Sequence, residues 1–143
     1  MGLEAMNLLF ISQNMDVEEI IKNNQNMVHA KGKEYIYTEE HKYWIDLQIK
    51  ETNPKILSFR ITLCNSKTEV LSSLFKLLAC LFENTQGVLI DLKTKKQFDK
   101  MNDITIKSIE NSYDIQKKVF ISLYGDITDA IGSEKLSKRR YTK

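Results

Sequence analysis

The chain has 143 residues, of which 42% are hydrophobic and 28% are charged. These values predict one globular domain, spanning 1–143, and exclude collagen-like and wholly disordered chains. No apolar run reaches the roughly 18 to 20 residues that a membrane-spanning helix needs. The first eleven residues contain no Lys or Arg and so lack the basic region of a signal peptide. We therefore expect a cytoplasmic protein that does not bind a membrane.

The net charge of +2 is unevenly distributed. Residues 132–143 carry five basic residues and one acidic residue, which predicts a basic, flexible C-terminal tail. The remaining body has 16 basic and 18 acidic residues, and only three of the 21 basic residues are Arg. Nucleic-acid recognition favours clustered cations and bidentate Arg contacts. We therefore expect no nucleic-acid partner.

Cysteine and histidine are too few to form a metal centre. Cys64 and Cys80 are the only cysteines, and His29 and His41 do not lie at zinc-ligand spacing from them. The chain also lacks a glycine-rich phosphate loop and a nucleophile-elbow motif. We predict neither a metal nor a cofactor.

The N-terminal third contains one ambiguous segment and one predicted helix. The apolar segment Asn7–Ile11 fits either an edge strand or a helical arm, and the pattern alone leaves both open. Asp16 can cap a helix, with Glu18 and Glu19 in its first turn and apolar residues at helical spacing beyond. We therefore predict helix one over Asp16–His29.

Four strand segments follow from alternation and β propensity: Glu34–Thr38, His41–Lys50, Lys55–Cys64 and Val88–Leu92. In the second and third, the apolar residues point to one face and the polar residues to the other. Such alternation is typical of antiparallel strands covered on one side. The segment Glu51–Pro54 is predicted to connect the second and third strands as a hairpin.

Two longer helices complete the pattern. Ser66 and Glu69 form a capping box before a wide apolar stripe that includes Leu74, Leu78 and Leu81, which predicts a central core helix. A charged connection, Thr94–Asp103, leads to a second helical stretch that we expect to stop at Gly125. Ser112 is a candidate cap that could divide this stretch in two. The fold class is therefore α+β, a mainly antiparallel sheet of about four strands with helices packed on one face.

The sequence Asp91-x-Lys93 at a strand end is the one enzyme-like pattern. In metal-dependent nucleases a carboxylate can hold the cation while a nearby ammonium steadies the attacking water. Glu51, Glu39, Glu40 or Asp46 would have to complete such a ligand set. We favour the alternative, in which Asp91 ends a strand at a solvated loop, and we predict no catalytic residue.

A polar group on the face opposite the core is more informative. If the hairpin turns about Asn53, Asp46 stands opposite Arg60 and Trp44 stands opposite Thr62. A Trp beside an Asp–Arg pair is typical of a binding hot spot. The alternative is that helix one or the N-terminal segment covers this face. The residues predicted to bind a partner are Trp44, Asp46, Gln48, Arg60 and Thr62.

Several segments between about Glu34 and Ile131 resemble the immunity proteins of contact-dependent and related polymorphic toxin systems of bacteria. The resemblance implies a small cytoplasmic protein that binds and neutralises a cognate toxin domain without catalysis. A metal-dependent nuclease and a plain oligomerisation module remain as alternatives. The segments that carry the resemblance are Tyr43-Trp44-Ile45, Ser58–Asn65, Leu89–Leu92 with Thr94 and Lys95, Lys118-Val119-Phe120, and Tyr124-Gly125-Asp126.

Overall fold

Alternating apolar and polar residues build a sheet with one face toward a helical layer. The computed structural model describes residues 5–13, 16–38, 45–50, 53–63 and 67–124. The strands are β1 (Ala5–Ser12), β2 (Met27–Lys31), β3 (Glu34–Tyr37), β4 (Ile45–Lys50), β5 (Lys55–Thr62), β6 (Gly87–Asp91) and β7 (Gln97–Phe98). The helices are α1 (Val17–Lys22), α2 (Lys67–Asn84) and α3 (Asp103–Tyr124).

All strand pairs in the sheet are antiparallel, and the strand order is β2-β3-β4-β5-β1-β6-β7. The predicted α+β class is therefore confirmed, but the expected number of about four strands is too low, because the described residues alone form seven. The ambiguous segment Asn7–Ile11 belongs to β1. It lies between β5 and β6 in the interior of the sheet rather than at an edge.

Helix one is much shorter than predicted. The expected span Asp16–His29 is wrong, because α1 ends at Lys22 and the chain then forms β2. The Asn24 side chain accepts a hydrogen bond from the Asn26 amide at 2.9 Å, and the Met27 amide donates to the Asn24 carbonyl at 3.0 Å. Asn side chains compete with helical hydrogen bonds in this way, so the asparagine-rich segment forms a turn.

The alternation predicted for β4 and β5 is confirmed within the described residues. Leu47 pairs with Phe59 and Ile49 with Leu57, and all four side chains are at most 2% exposed. Residues 39–44 lie outside the described part of the chain, so the predicted start of β4 is not described. The predicted end of the third strand at Cys64 is too late, because β5 ends at Thr62 and Leu63 is in a turn.

The predicted core helix is present as α2. Its apolar stripe is buried at Val70, Leu74 and Leu78, while the Phe82 ring meets the Phe10 ring of β1 edge to face, with centroids 5.1 Å apart. This contact fixes α2 across the middle of the sheet. Ser66, the predicted cap, lies outside the described residues.

The second predicted helix is the continuous α3, without a break at Ser112. That residue is buried, and its hydroxyl accepts a hydrogen bond from the Gln116 side chain at 2.9 Å. Because the Ser112 hydroxyl has a hydrogen-bond partner within α3, it does not act as the N-cap of a separate helix. The predicted stop at Gly125 and the basic tail lie in 125–143, outside the described residues.

All three helices pack on the same face of the sheet. Val17 and Ile21 of α1 belong to one apolar cluster with residues of α2, α3 and the buried strand positions. The Tyr113 hydroxyl of α3 donates to the Leu63 carbonyl at 3.4 Å. We call the opposite side of the sheet the open face. Among the described helices, none combines the length and apolar character needed to cross a membrane.

Candidate partner-binding face

The strand register arranges the open face in three rows of directly paired residues. Because paired residues share a face, the rows follow from the register alone. The first row is Ile36, Asp46, Arg60 and Asn7. The second is Glu34, Gln48, Ser58, Leu9, Ile90 and Gln97. The third is Lys50, Ile56, Ile11 and Val88.

Asp46 and Arg60 are paired as the sequence predicts. The Arg60 Nη1 lies 3.9 Å from the Asp46 Oδ2, and the two side chains are 35% and 14% exposed. At this distance and exposure the attraction between them is weak. The Arg60 guanidinium is partly exposed beside this carboxylate, on the side of the sheet opposite the helices.

A groove of about 430 Å³ runs over this part of the open face. Asp46, Arg60 and the exposed Gln48 line it, together with Glu34 and Ser58. Leu9 of β1 and Leu92, just after β6, add apolar surface to its wall. Three of the five residues predicted to bind a partner therefore lie together in one concave surface.

The other two predicted residues are placed differently. Thr62 is 3% exposed, and its hydroxyl accepts a hydrogen bond from the Arg60 Nη1 at 3.4 Å. It therefore positions Arg60 rather than offering surface of its own. Trp44 lies outside the described residues, so its predicted place beside Asp46 stays a prediction.

The open face also carries an apolar strip that the sequence analysis did not identify. Five half-buried aliphatic side chains lie next to one another across three strands, and Ile11 is paired with both Ile56 and Val88. The sequence contains one indication of this strip, the apolar residue Ile56 at an outward position of β5. The residues of the strip are Leu9, Ile11, Ile56, Val88 and Ile90.

Neither of the two segments that we considered as covers lies over the groove. Helix α1 packs on the opposite face, and the N-terminal segment is a strand of the sheet itself. The face is closed at one end, where Ile36 and Ala5 are fully buried. The groove therefore occupies the open part, between this buried end and the apolar strip.

Asp91 ends β6 before an exposed turn, as expected, but its own side chain is not solvated, so that part of the expectation is wrong. It is 0% exposed and lies on the helical face, where it pairs with Leu8. Its Oδ1 accepts hydrogen bonds from the amides of Lys93 and Thr94 at 2.9 and 3.4 Å, and no partner reaches its Oδ2. Lys93 is exposed, so the two residues do not form a shared open site.

A second cavity, of about 400 Å³, lies between α1 and the β2–β3 hairpin. Glu18, 14% exposed, accepts a hydrogen bond from Lys33 Nζ at 2.6 Å and one from the Tyr35 hydroxyl at 3.4 Å. Burial, followed by the neighbouring Glu18 carboxylate, raises the pKa of Tyr35 above its ordinary value of 10.0. Glu18 thus pairs with charged and polar groups of the hairpin. We interpret this cluster as a structural ion-pair network that links α1 to the β2–β3 hairpin.

Comparison with known proteins adds no relative. No family model matches the chain, and no curated protein or solved structure is significantly similar to it. Among the described residues, no group of three or more His, Cys, Asp or Glu side chains is placed to hold a metal ion. The geometry of the open face is therefore the feature of this molecule that points to a function.

Proposed function

We propose that this protein is a non-catalytic, cytoplasmic binding protein that neutralises a cognate bacterial toxin domain, as an immunity protein does. The observation that carries the proposal is the groove on the open face, where the Asp46–Arg60 pair lies close to exposed Gln48. The helices pack on the other face. Among the described residues, the open face is therefore the broad surface of the sheet that no helix covers.

The chemistry of the open face suits a protein partner. Specific interfaces combine an apolar centre with polar and charged groups that set orientation. Here Leu9 of the apolar strip is paired directly with Ser58, and Ile11 of the strip lies two rows from Arg60. Arg and aromatic residues carry much of the energy at such interfaces. Arg60, and Trp44 as predicted from strand parity, are the proposed anchors.

The alternative of a metal-dependent nuclease finds little support in the position of Asp91. A catalytic carboxylate must reach both a cation and the substrate. The Asp91 side chain is 0% exposed, and one of its oxygens is engaged by the β6–β7 turn. Incubation of the purified chain with DNA or RNA and Mg²⁺ or Mn²⁺ tests this alternative. Metal-dependent cleavage that disappears in Asp91→Asn would establish it.

The proposal is tested by co-expression with a toxin. The neighbouring genes are inspected first, and a large secreted protein encoded immediately upstream would supply its C-terminal domain as the toxin to test. The protein should restore growth of cells that express this domain, and the purified pair should bind in calorimetry. Growth arrest despite full expression of the protein, with no detectable binding, would refute the proposed function.

Two matched variants locate the binding surface. Gln48→Arg places a long cation in the middle of the groove at an exposed position, whereas Ser72→Arg places the same side chain on an exposed position of α2. Gln48→Arg should lose protection and Ser72→Arg should keep it. If both variants protect equally well, the groove is not the binding surface.

Light scattering of the free chain tests the third alternative, an oligomerisation module.

A further inference from the structure

The turn between β6 and β7 presents an unusual concentration of positive charge. Lys93, Lys95 and Lys96 are all exposed. Within the described ranges, the salt bridges involve other lysines, and none neutralises these three. The turn therefore presents three ammonium groups to solvent with no carboxylate paired to them.

The backbone of this turn is fixed by the buried Asp91. In addition to the two amides bound by its side chain, its carbonyl accepts from the Lys95 amide at 2.8 Å, and its amide donates to the Lys96 carbonyl at 3.0 Å. Lys95 adopts a φ of 64°, in the left-handed region that few residues other than glycine occupy. One buried residue thus holds the whole turn in shape. A preorganised turn loses less entropy when a partner binds its side chains.

The turn begins at the rim of the groove. Leu92, the residue before the first lysine, lines the groove with Leu9, and its amide donates to the Asn7 carbonyl at 3.1 Å. The first of the three lysines therefore directly follows a residue of the groove wall.

We infer that the lysine turn binds a cluster of carboxylates on the partner that occupies the groove, an inference that rests on the proposed function. The partner surface is apolar where it meets Leu9 and Leu92 and acidic where it meets Lys93, Lys95 and Lys96. Charges of this kind at a rim increase the association rate and select the partner. The lysine turn thus assigns a chemical character to the partner.

The groove itself favours carboxylates on a protein over the phosphates of a nucleic acid. Glu34 and Asp46 line it and would repel a phosphate backbone that continued inward from the lysines. Arg60, which also lines the groove, already faces Asp46. Exposed Leu92 also suits an apolar protein surface better than a charged backbone.

The test compares two triple variants of the full chain. The turn variant reverses the charge of the turn and is Lys93→Glu/Lys95→Glu/Lys96→Glu. The helix variant makes the same change of charge at exposed positions of α2 and α3 and is Lys76→Glu/Lys107→Glu/Lys118→Glu. Binding to the toxin domain used in the co-expression test is measured at low and at physiological salt. The turn variant should bind at least tenfold more weakly, mainly through slower association, and its affinity should depend less on salt. The helix variant should stay within about threefold of the unchanged chain.

The outcomes separate this inference from the proposed function. If the unchanged chain binds the toxin domain and both triple variants bind alike, the inference about the turn is wrong and the proposed function stands. If the unchanged chain does not bind, the proposed function fails and the inference fails with it. A labelled DNA duplex is the second probe. Binding of DNA at physiological salt that is lost only in the turn variant would overturn the choice of a carboxylate partner.

Discussion

Asp46 and Arg60 face each other across β4 and β5, with 3.9 Å between the Asp46 Oδ2 and the Arg60 Nη1. Partly exposed pairs of this kind contribute roughly 0 to 1 kcal/mol to stability. The pair is therefore better suited to orienting a partner than to holding the sheet together.

This finding predicts a separation of binding from folding. Arg60→Ala should lower the free energy of unfolding by less than about 1 kcal/mol and weaken binding of the toxin domain by about 2 kcal/mol, the scale of a hot-spot residue. Urea denaturation and calorimetry measure the two losses. Lys76→Ala, at an exposed position of α2, is the control. A larger loss of stability than of binding would show that Arg60 is a structural residue.

The centre of the core should be sensitive to the size of Leu78. This residue is 0% exposed within the stripe of α2 that packs on the sheet. Leu78→Ala should therefore lower the free energy of unfolding by about 2 to 5 kcal/mol. Ser72→Ala, exposed on the same helix, should change it by less than about 0.5 kcal/mol. Equal denaturation midpoints for the two variants would contradict this packing.

Gly87 should be intolerant of a single added methyl group. A Cβ there would lie 2.5 Å from the Phe10 Cζ and 2.9 Å from the Ile11 carbonyl oxygen. Gly87→Ala should cost about 1 to 3 kcal/mol because the Phe10 ring must move within a packed core. The shorter side chain in Phe10→Leu should make the added Gly87→Ala change less costly, a coupling that a double-mutant cycle measures. Additive losses would show that Phe10 is not the obstacle.

The raised pKa of Tyr35 predicts a loss of stability at alkaline pH. Because the folded state keeps the proton more tightly than the unfolded state, the contribution of this group is present below pH 10.0 and declines as the pH rises through the folded-state pKa. Tyr35→Phe has no such proton. The stability advantage of the unchanged chain over Tyr35→Phe should therefore shrink between about pH 9 and pH 11. Tyr124→Phe is the matched control. An advantage that grows with pH would contradict the assigned direction.

The β6–β7 turn should depend on the oxygen of Asp91 that accepts the amides. Asp91→Ala leaves the amides of Lys93 and Thr94 without this acceptor and should cost about 1 to 3 kcal/mol. Asp91→Asn keeps an oxygen acceptor and should cost less than half as much. Denaturation curves of the two variants give the comparison. Equal losses would mean that the turn does not depend on this acceptor.

The paired strands were predictable because a shift of one residue would turn every apolar side chain of β4 or β5 to the wrong face. The pattern therefore determines both the inward residues and the pairing of Asp46 with Arg60, given a hairpin centred on Asn53. The same argument could not place Asn7–Ile11, because its residues are apolar on both faces. The structure explains why, since β1 lies inside the sheet and contributes to both the core and the apolar strip.

Other features depend on contacts that local patterns do not contain. Helix one was extended too far because apolar residues at helical spacing continue past Asn23, and the side-chain hydrogen bond of Asn24 decides against the helix. The burial of Asp91 was also missed. A carboxylate at a strand end is normally solvated, and only the structure shows that its turn folds back over it.

The interior position of β1 has a consequence for the order of folding. Phe10 pairs with Leu57 on one side and with Leu89 on the other. Both partners are far away in sequence, so these pairings require the closure of long loops before they become favourable. During synthesis, β1 leaves the ribosome early and must wait for β5 and then β6. The hairpins β2–β3 and β4–β5, which are local, are expected to form first. Among the described strands, β1 is therefore synthesised before both local hairpins but joins the sheet after them.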